Sequence, residues 1–172
     1  MKSMVIGSKG LEQMVPKGSI GPASVDLTLS DRVLIPVRTK LVRLGSKVKY
    51  RSVRFSAQDP FVLMPGGFVL AATNEQVMLP LDICGFVQGR SSIGRIGLTV
   101  QNAGFVDPGF NGTITLELVN ESKSPIGLIP GYRVVQLVLM DVRDNEIAYK
   151  GKYNGQIFPT GSRMNEDWEV NV

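Results

Sequence analysis

From Val25 onward the chain alternates apolar and polar residues in short bursts. Val25, Leu27 and Leu29 alternate with Asp26 and Thr28, the period of two that turns one strand face into a core. A second apolar run covers Val33 to Val37. Phe61 to Met64, Phe68 to Thr73, Gln76 to Leu79, Ile83 to Gln88, Leu98 to Gln101, Gly112 to Val119 and Tyr132 to Val142 follow. Pro65-Gly66-Gly67, Asp107-Pro108-Gly109 and Ile129-Pro130-Gly131 punctuate them as turns. Many short strands, Gly/Pro turns and almost no long helical period predict an all-β barrel or sandwich.

Two regions depart from that pattern. Leu11, Met14 and Val15 have helical spacing and Pro16 would end the helix, so residues 1 to 18 are expected to form a short helix and a connection. Thr39 to Gln58 is basic and polar and is expected to be a hairpin excursion. The segment Gly151 to Arg163 is Gly-rich, polar and aromatic. It fits a frayed tail and equally a lid, with Lys152, Gln156 and Arg163 able to reach a ligand.

Composition narrows the chemistry. With 172 residues the chain can bury a core as one domain with or without a tail. Its formal charge of +4 favours anionic partners. The basic residues are scattered, so the cluster from Arg38 to Arg54 reads as a solvated hairpin face rather than a nucleic-acid site. Histidine is absent and Cys84 is the single cysteine. Ser-His-Asp and Cys-His catalysis and a standard zinc site are therefore excluded, and hydrolysis must use carboxylates, hydroxyls, Lys, Tyr or an oxygen-bound cation such as Mg²⁺. Cys84 is expected to be a small buried hydrophobe. Neither a signal peptide nor an apolar run of spanning length is seen, so a soluble cytoplasmic protein is expected.

The chemistry concentrates between Gly89 and Asn120. Small residues in Gly89-Arg90-Ser91-Ser92-Ile93-Gly94-Arg95 let backbone and hydroxyl groups approach an anion, and the two arginines offer planar forks suited to phosphate. In Gly112 to Val119, Ile114, Leu116 and Leu118 share one face. Thr113, Thr115, Glu117 and Val119 share the other. A Glu inside a barrel strand is costly unless it has a purpose.

The run from Ser24-Val25-Asp26-Leu27 through Gly89-Arg90-Ser91-Ser92 to Leu98, then Ala103 to Phe110, Gly112 to Asn120, and Lys152 to Gln156, resembles the dCTP deaminases of the dUTPase-like superfamily. The resemblance implies an all-β fold, a distorted β-barrel of the dUTPase-like type with minor short helices, over residues 1–150. Residues 151–172 would be a flexible C-terminal segment closing over the nucleotide. It also implies a homotrimer with active sites at subunit interfaces, and metal-free deamination in which a glutamate activates water at C4 of cytosine.

Carried onto this sequence, Glu117 takes the catalytic position, which is typically apolar in pure dUTPases. Burial is expected to raise its pKa. Ser91 would help hold the water and Arg95 would sit by Glu117. Arg90, Ser91 and Ser92, with Ile93 and Gly94 between them and Arg95, would contact phosphates. Asp107 would bind the 3′-hydroxyl of the deoxyribose. The backbone at Thr115 and Leu116 would read the base edge, and Gln136 would touch the phosphates or sugar. Tyr149, Lys152 and Gln156 would close over a triphosphate whose charge Mg²⁺ shares. Gly104-Phe105 resembles members that continue from dCTP to dUMP and diphosphate, with Asp107 also orienting water at the α-phosphate. Asn102 departs from the usual Thr. That leaves open a dUTP diphosphatase without deamination, and a non-catalytic nucleotide-sensing member of the superfamily stands as a third alternative.

Overall fold

The computed structural model describes residues 4–12, 19–101 and 103–167. Its strands are β1 (Val25–Thr28), β2 (Arg32–Pro36), β3 (Tyr50–Arg54), β4 (Phe61–Leu63), β5 (Phe68–Met78), β6 (Ile83–Gly89), β7 (Leu98–Gln101), β8 (Phe105–Val106), β9 (Asn111–Asn120), β10 (Ile126–Leu128) and β11 (Arg133–Asp141). The helical elements with described bounds are α1 (Ser8–Leu11), α2 (Ser91–Gly94) and a 3₁₀ turn at Met164–Glu166. Two antiparallel sheets dominate, ordered β1-β11-β6-β8 and β3-β2-β5-β9-β7, with β10-β4 as a separate pair. The sheets wrap one core without closing into a single ladder, which fits the all-β reading of the strand pattern and the distorted barrel that the resemblance implies.

The alternation of β9 works as read. Ile114, Leu116 and Leu118 are buried, while Thr115, Glu117 and Val119 are half-exposed; Thr113, on their face, is buried where Gln156 bonds to it. Leu116 and Leu118 join Leu137, Leu139 and Val135 of β11 in the core, each large apolar side chain contributing about 1.5–3 kcal/mol by leaving water. At the end of β9, Asn120 is fully buried. Its Nδ2 donates to the carbonyls of Leu63 and Ser124, both at 2.8 Å, and its Oδ1 accepts from the Ser122 amide (2.9 Å) and hydroxyl (2.7 Å). The turn facing it needs Gly66, whose φ of 71° disfavours other residues.

Two differences from the sequence reading have local causes. Phe68 to Thr73 and Gln76 to Leu79 were expected as separate strands, but β5 is continuous, with a register shift between Ala72 and Gln76. Thr73 bridges the irregularity: its hydroxyl donates to the Glu75 carbonyl (2.8 Å) and accepts the Ile114 amide (3.0 Å). The Glu75 carboxylate then accepts the amide and hydroxyl of Thr28. The N-terminal helix is one turn ending at Leu11, and Met14, Val15 and Pro16 lie outside the described residues. The expected hairpin excursion contains β3, which pairs along β2 from Arg32↔Arg54 to Pro36↔Tyr50. That pairing carries Tyr50 to the sheet edge.

Candidate active site

Glu117 lies on β9 between two neighbours, opposite Leu70 of β5 and Gln101 of β7. It lines a cavity of about 420 Å³, together with Asp107, Thr115, Leu116, Tyr149 and Gln156. Among the described residues none bonds or pairs with its carboxylate. Burial pushes its pKa above the ordinary glutamate value, because the charged form loses water. A half-buried carboxylate with a raised pKa and no partner among the described residues is suited to exchanging protons with a ligand or water.

The rest of the cavity is built from both directions along the chain. Asp107 arrives on the turn between β8 and β9, where its carbonyl accepts the Phe110 amide at 3.1 Å. The Tyr149 amide donates to the Pro108 carbonyl at 2.8 Å, and its ring lies 6.0 Å from that of Phe110. The C-terminal segment then runs beside β9. Gly155 N donates to Asn111 O (2.7 Å) and Thr113 N to Gln156 O (2.8 Å). Gln156 Nε2 returns a bond to Thr113 O at 2.7 Å, and the Thr115 hydroxyl donates to Gln156 Oε1 at 3.4 Å.

Gly112 permits this approach: a Cβ there would lie 2.8 Å from Gln156 O. Farther on, the Thr160 amide donates to the Thr115 hydroxyl (3.1 Å) and the Ser162 amide to the Tyr50 hydroxyl (3.1 Å). Phe158 lies under the Arg32 guanidinium, 4.2 Å from ring centroid to Cζ. From Asn154 to Ser162 the segment is therefore held against the barrel rather than frayed, while Arg163 to Asp167 bond back to Lys152, Tyr153 and one another. Lys152 is ion-paired with Asp167 and does not line the cavity.

The other candidate residues gather elsewhere. Arg90, Ser91, Ser92, Ile93, Gly94 and Arg95 follow β6, in the four-stranded sheet. Arg90 pairs with Asp26 of β1 at 3.2 Å, and Arg95 Nε donates to the Ser91 hydroxyl at 3.1 Å. Ser91, Ser92, Gly94 and Arg95 are exposed, and the Ile93 side chain is in the core, leaving its backbone to meet a ligand. Gln136 sits opposite both Asp26 and Gln88, with Nε2 3.3 Å from the Ser24 hydroxyl. None of these residues lines the Glu117 cavity. The expectation that Ser91 and Arg95 stand beside Glu117 is thus not met within one chain, because Glu117 belongs to the other sheet. A single chain presents two separate groups of candidate residues: a carboxylate with the C-terminal segment, and the arginines and hydroxyls that follow β6.

Sequence reasoning missed Tyr50, Tyr153, Thr160 and Ser162 as cavity residues. Tyr50 reaches the cavity only through the β2–β3 pairing, which no local pattern announces. The aromatic character of the C-terminal segment was the available signal for Tyr153. Asn102 lies outside the described residues. Cys84 is buried, and burial pushes its thiol up, away from reactivity.

Among the described residues no group of three or more His, Cys, Asp or Glu could hold a metal ion, and the carboxylates lining the cavity are Glu117 and Asp107. No helix among them is long and apolar enough to cross a membrane.

The sequence profile of a family described as dCTP deaminase-like matches residues 3–142. A "dCTP deaminase, dUMP-forming" from Sulfurihydrogenibium sp. (strain YO3AOP1) is 42% identical over 165 residues, covering 91% of each chain. A protein of the same description from Aquifex aeolicus (strain VF5) is 36% identical over 179 residues, covering 97% of this chain and 98% of the other. Among solved structures, the 2′-deoxycytidine 5′-triphosphate deaminase of Agrobacterium tumefaciens superposes with a TM-score of 0.65 at 20% identity. That match covers 81% of this chain and 48% of the longer one, and shows a shared fold.

Proposed function

The chain belongs to the dCTP deaminase-like family, and on that premise we propose that it deaminates dCTP and carries the product on to dUMP and diphosphate. The observation that carries the first step is Glu117: a half-buried carboxylate without a partner among the described residues, lining a cavity of about 420 Å³. Its raised pKa poises it to take a proton from water as hydroxide adds to C4 of cytosine. It would deliver that proton to ring N3, where it stays, and then carry the proton of the new C4 hydroxyl to the exocyclic amine, which leaves as ammonia as the C4 carbonyl forms. The backbone at Thr115 and Leu116 would read the base edge and Asp107 the 3′-hydroxyl. Tyr149, Lys152 and Gln156 would close the segment over the nucleotide.

Read as half-sites, the two groups suggest how the triphosphate is held. Symmetric assembly lets the arginine half of one subunit face the carboxylate half of the next, so we place the complete site at the interfaces of a homotrimer. Arg90, Ser91, Ser92 and Gln136 would then meet phosphate oxygens, and Ser91 and Arg95 would approach Glu117 from the neighbouring subunit. Mg²⁺ would arrive with the triphosphate as part of the substrate, because the cavity has too few carboxylates to cage it. In the second step Asp107 would orient water at the α-phosphate. A lone buried thiol suits a reducing compartment, and we assign the protein to the cytoplasm.

Ammonia release from dCTP tests the reading, with dUTP offered separately. Asn102, standing where Thr is usual, favours a second reading, a dUTP diphosphatase alone. Turnover of dUTP without ammonia from dCTP would establish that one.

A further inference from the structure

The carboxylate of Asp26 is the most deeply placed charge near the arginine half-site, its side chain only 13% exposed. It holds two guanidiniums. Arg90 Nε lies 3.2 Å from Oδ1 and Arg133 Nη1 2.9 Å from Oδ2. The arginines are themselves linked, since Arg90 Nη1 donates to the Arg133 carbonyl at 3.4 Å and Arg90 N donates to Val134 O at 3.2 Å. We propose that Asp26 is a positioning residue that presents Arg90 and Arg133 together to a polyphosphate, which makes Arg133 a further phosphate-binding residue. The proposal rests on the nucleotide reading above.

Three observations favour positioning over a purely structural tie. First, β1 and β11 are already joined by the register Val25↔Leu137, Asp26↔Gln136 and Leu27↔Val135, and Val25, Leu27 and Leu137 are buried. The sheet does not need an ion pair to hold it. Second, Oδ1 of Asp26 is buried yet has no aligned hydrogen bond, although Arg90 Nε is close. Arg90 therefore keeps its donors except the Nη1 proton on the Arg133 carbonyl, and a guanidinium has five. Third, the cluster carries two positive charges against one negative. Two guanidiniums held side by side repel unless a carboxylate lies between them, and the surplus charge suits an anion that can bridge both forks. Arg133 is the more exposed arginine, with 55% of its side chain accessible.

The test uses the full-length assembled protein and inorganic tripolyphosphate as probe, measured by calorimetry, alongside KM and kcat for dCTP. D26N is expected to weaken tripolyphosphate binding and raise KM together, by about tenfold, with kcat much less affected. D26E should restore part of both. R133Q removes one fork from the exposed side without touching the buried carboxylate, and is expected to weaken the probe severalfold even if D26N fails to fold. D31N, which breaks the exposed Asp31–Arg54 pair, should change neither quantity. Unchanged tripolyphosphate affinity in D26N and R133Q, with only thermal stability lowered, would overturn the proposal. Because calorimetry needs no turnover, a chain that fails to deaminate dCTP would refute the function while still reporting on Asp26.

Discussion

Replacing Glu117 by glutamine keeps the side chain's shape and removes its ability to take a proton. The structure sets what should follow. No described residue bonds to the Glu117 carboxylate, so the amide leaves no partner orphaned, and the neighbours Leu70 and Gln101 are undisturbed. Folding should survive. Catalysis should not: a positioned general acid-base contributes about 10²–10⁴-fold, or about 2.7–5.4 kcal/mol at about 1.36 per tenfold. Ammonia release from dCTP is expected to fall by that factor while dCTP affinity changes little.

Stability adds an independent check. The folded-state pKa of Glu117 is raised by burial. Between the unfolded and folded values the native state binds the extra proton, so native stability falls as pH rises through that window. Glutamine carries no such penalty. The variant's melting temperature should match wild type well below the ordinary glutamate range and exceed it at neutral pH. Likewise, the acid limb of the deamination profile should lie above that range. Ammonia release by E117Q within about threefold of wild type would refute the role.

Other expectations concern assembly, strap and core. If the half-sites meet between subunits, mixing inactive E117Q with inactive R95A should restore activity through trimers in which about a quarter of sites are intact by random assortment; no recovery on mixing would place the site within one chain. G112A would drive a Cβ to 2.8 Å from Gln156 O. It should expose the Thr113 amide to hydrogen exchange and raise KM for dCTP, with the global melting temperature nearly unchanged. N120A removes four hydrogen bonds at a fully buried site, so it should cost about 3 kcal/mol and lower the melting temperature by about 6–12 °C.

What could be read before the structure depended on distance along the chain. The β9 alternation placed Glu117, Thr115 and Val119 on one face because side-chain direction follows a period of two, and burial of the opposite face confirms it. The turns at Gly66, Gly109 and Gly131 were legible from their Pro-Gly pairs, and each glycine has a positive φ that few other residues adopt. The continuity of β5 was not, since it depends on Thr73 bonding to a strand 41 residues away. Neither was the clamp by Asp26, whose partner Arg133 lies 107 residues on. The separation of Ser91 and Arg95 from Glu117 depends on which sheet each strand joins. Local sequence does not encode that pairing.

The most direct test of the central claim is a product balance on purified protein given dCTP and Mg²⁺, with ammonia, diphosphate, dUTP and dUMP followed together and dUTP run in parallel. Ammonia, diphosphate and dUMP should appear in equal amounts, with little free dUTP. Diphosphate from dUTP, with no ammonia from dCTP, would contradict the account and leave Glu117 without the role assigned to it.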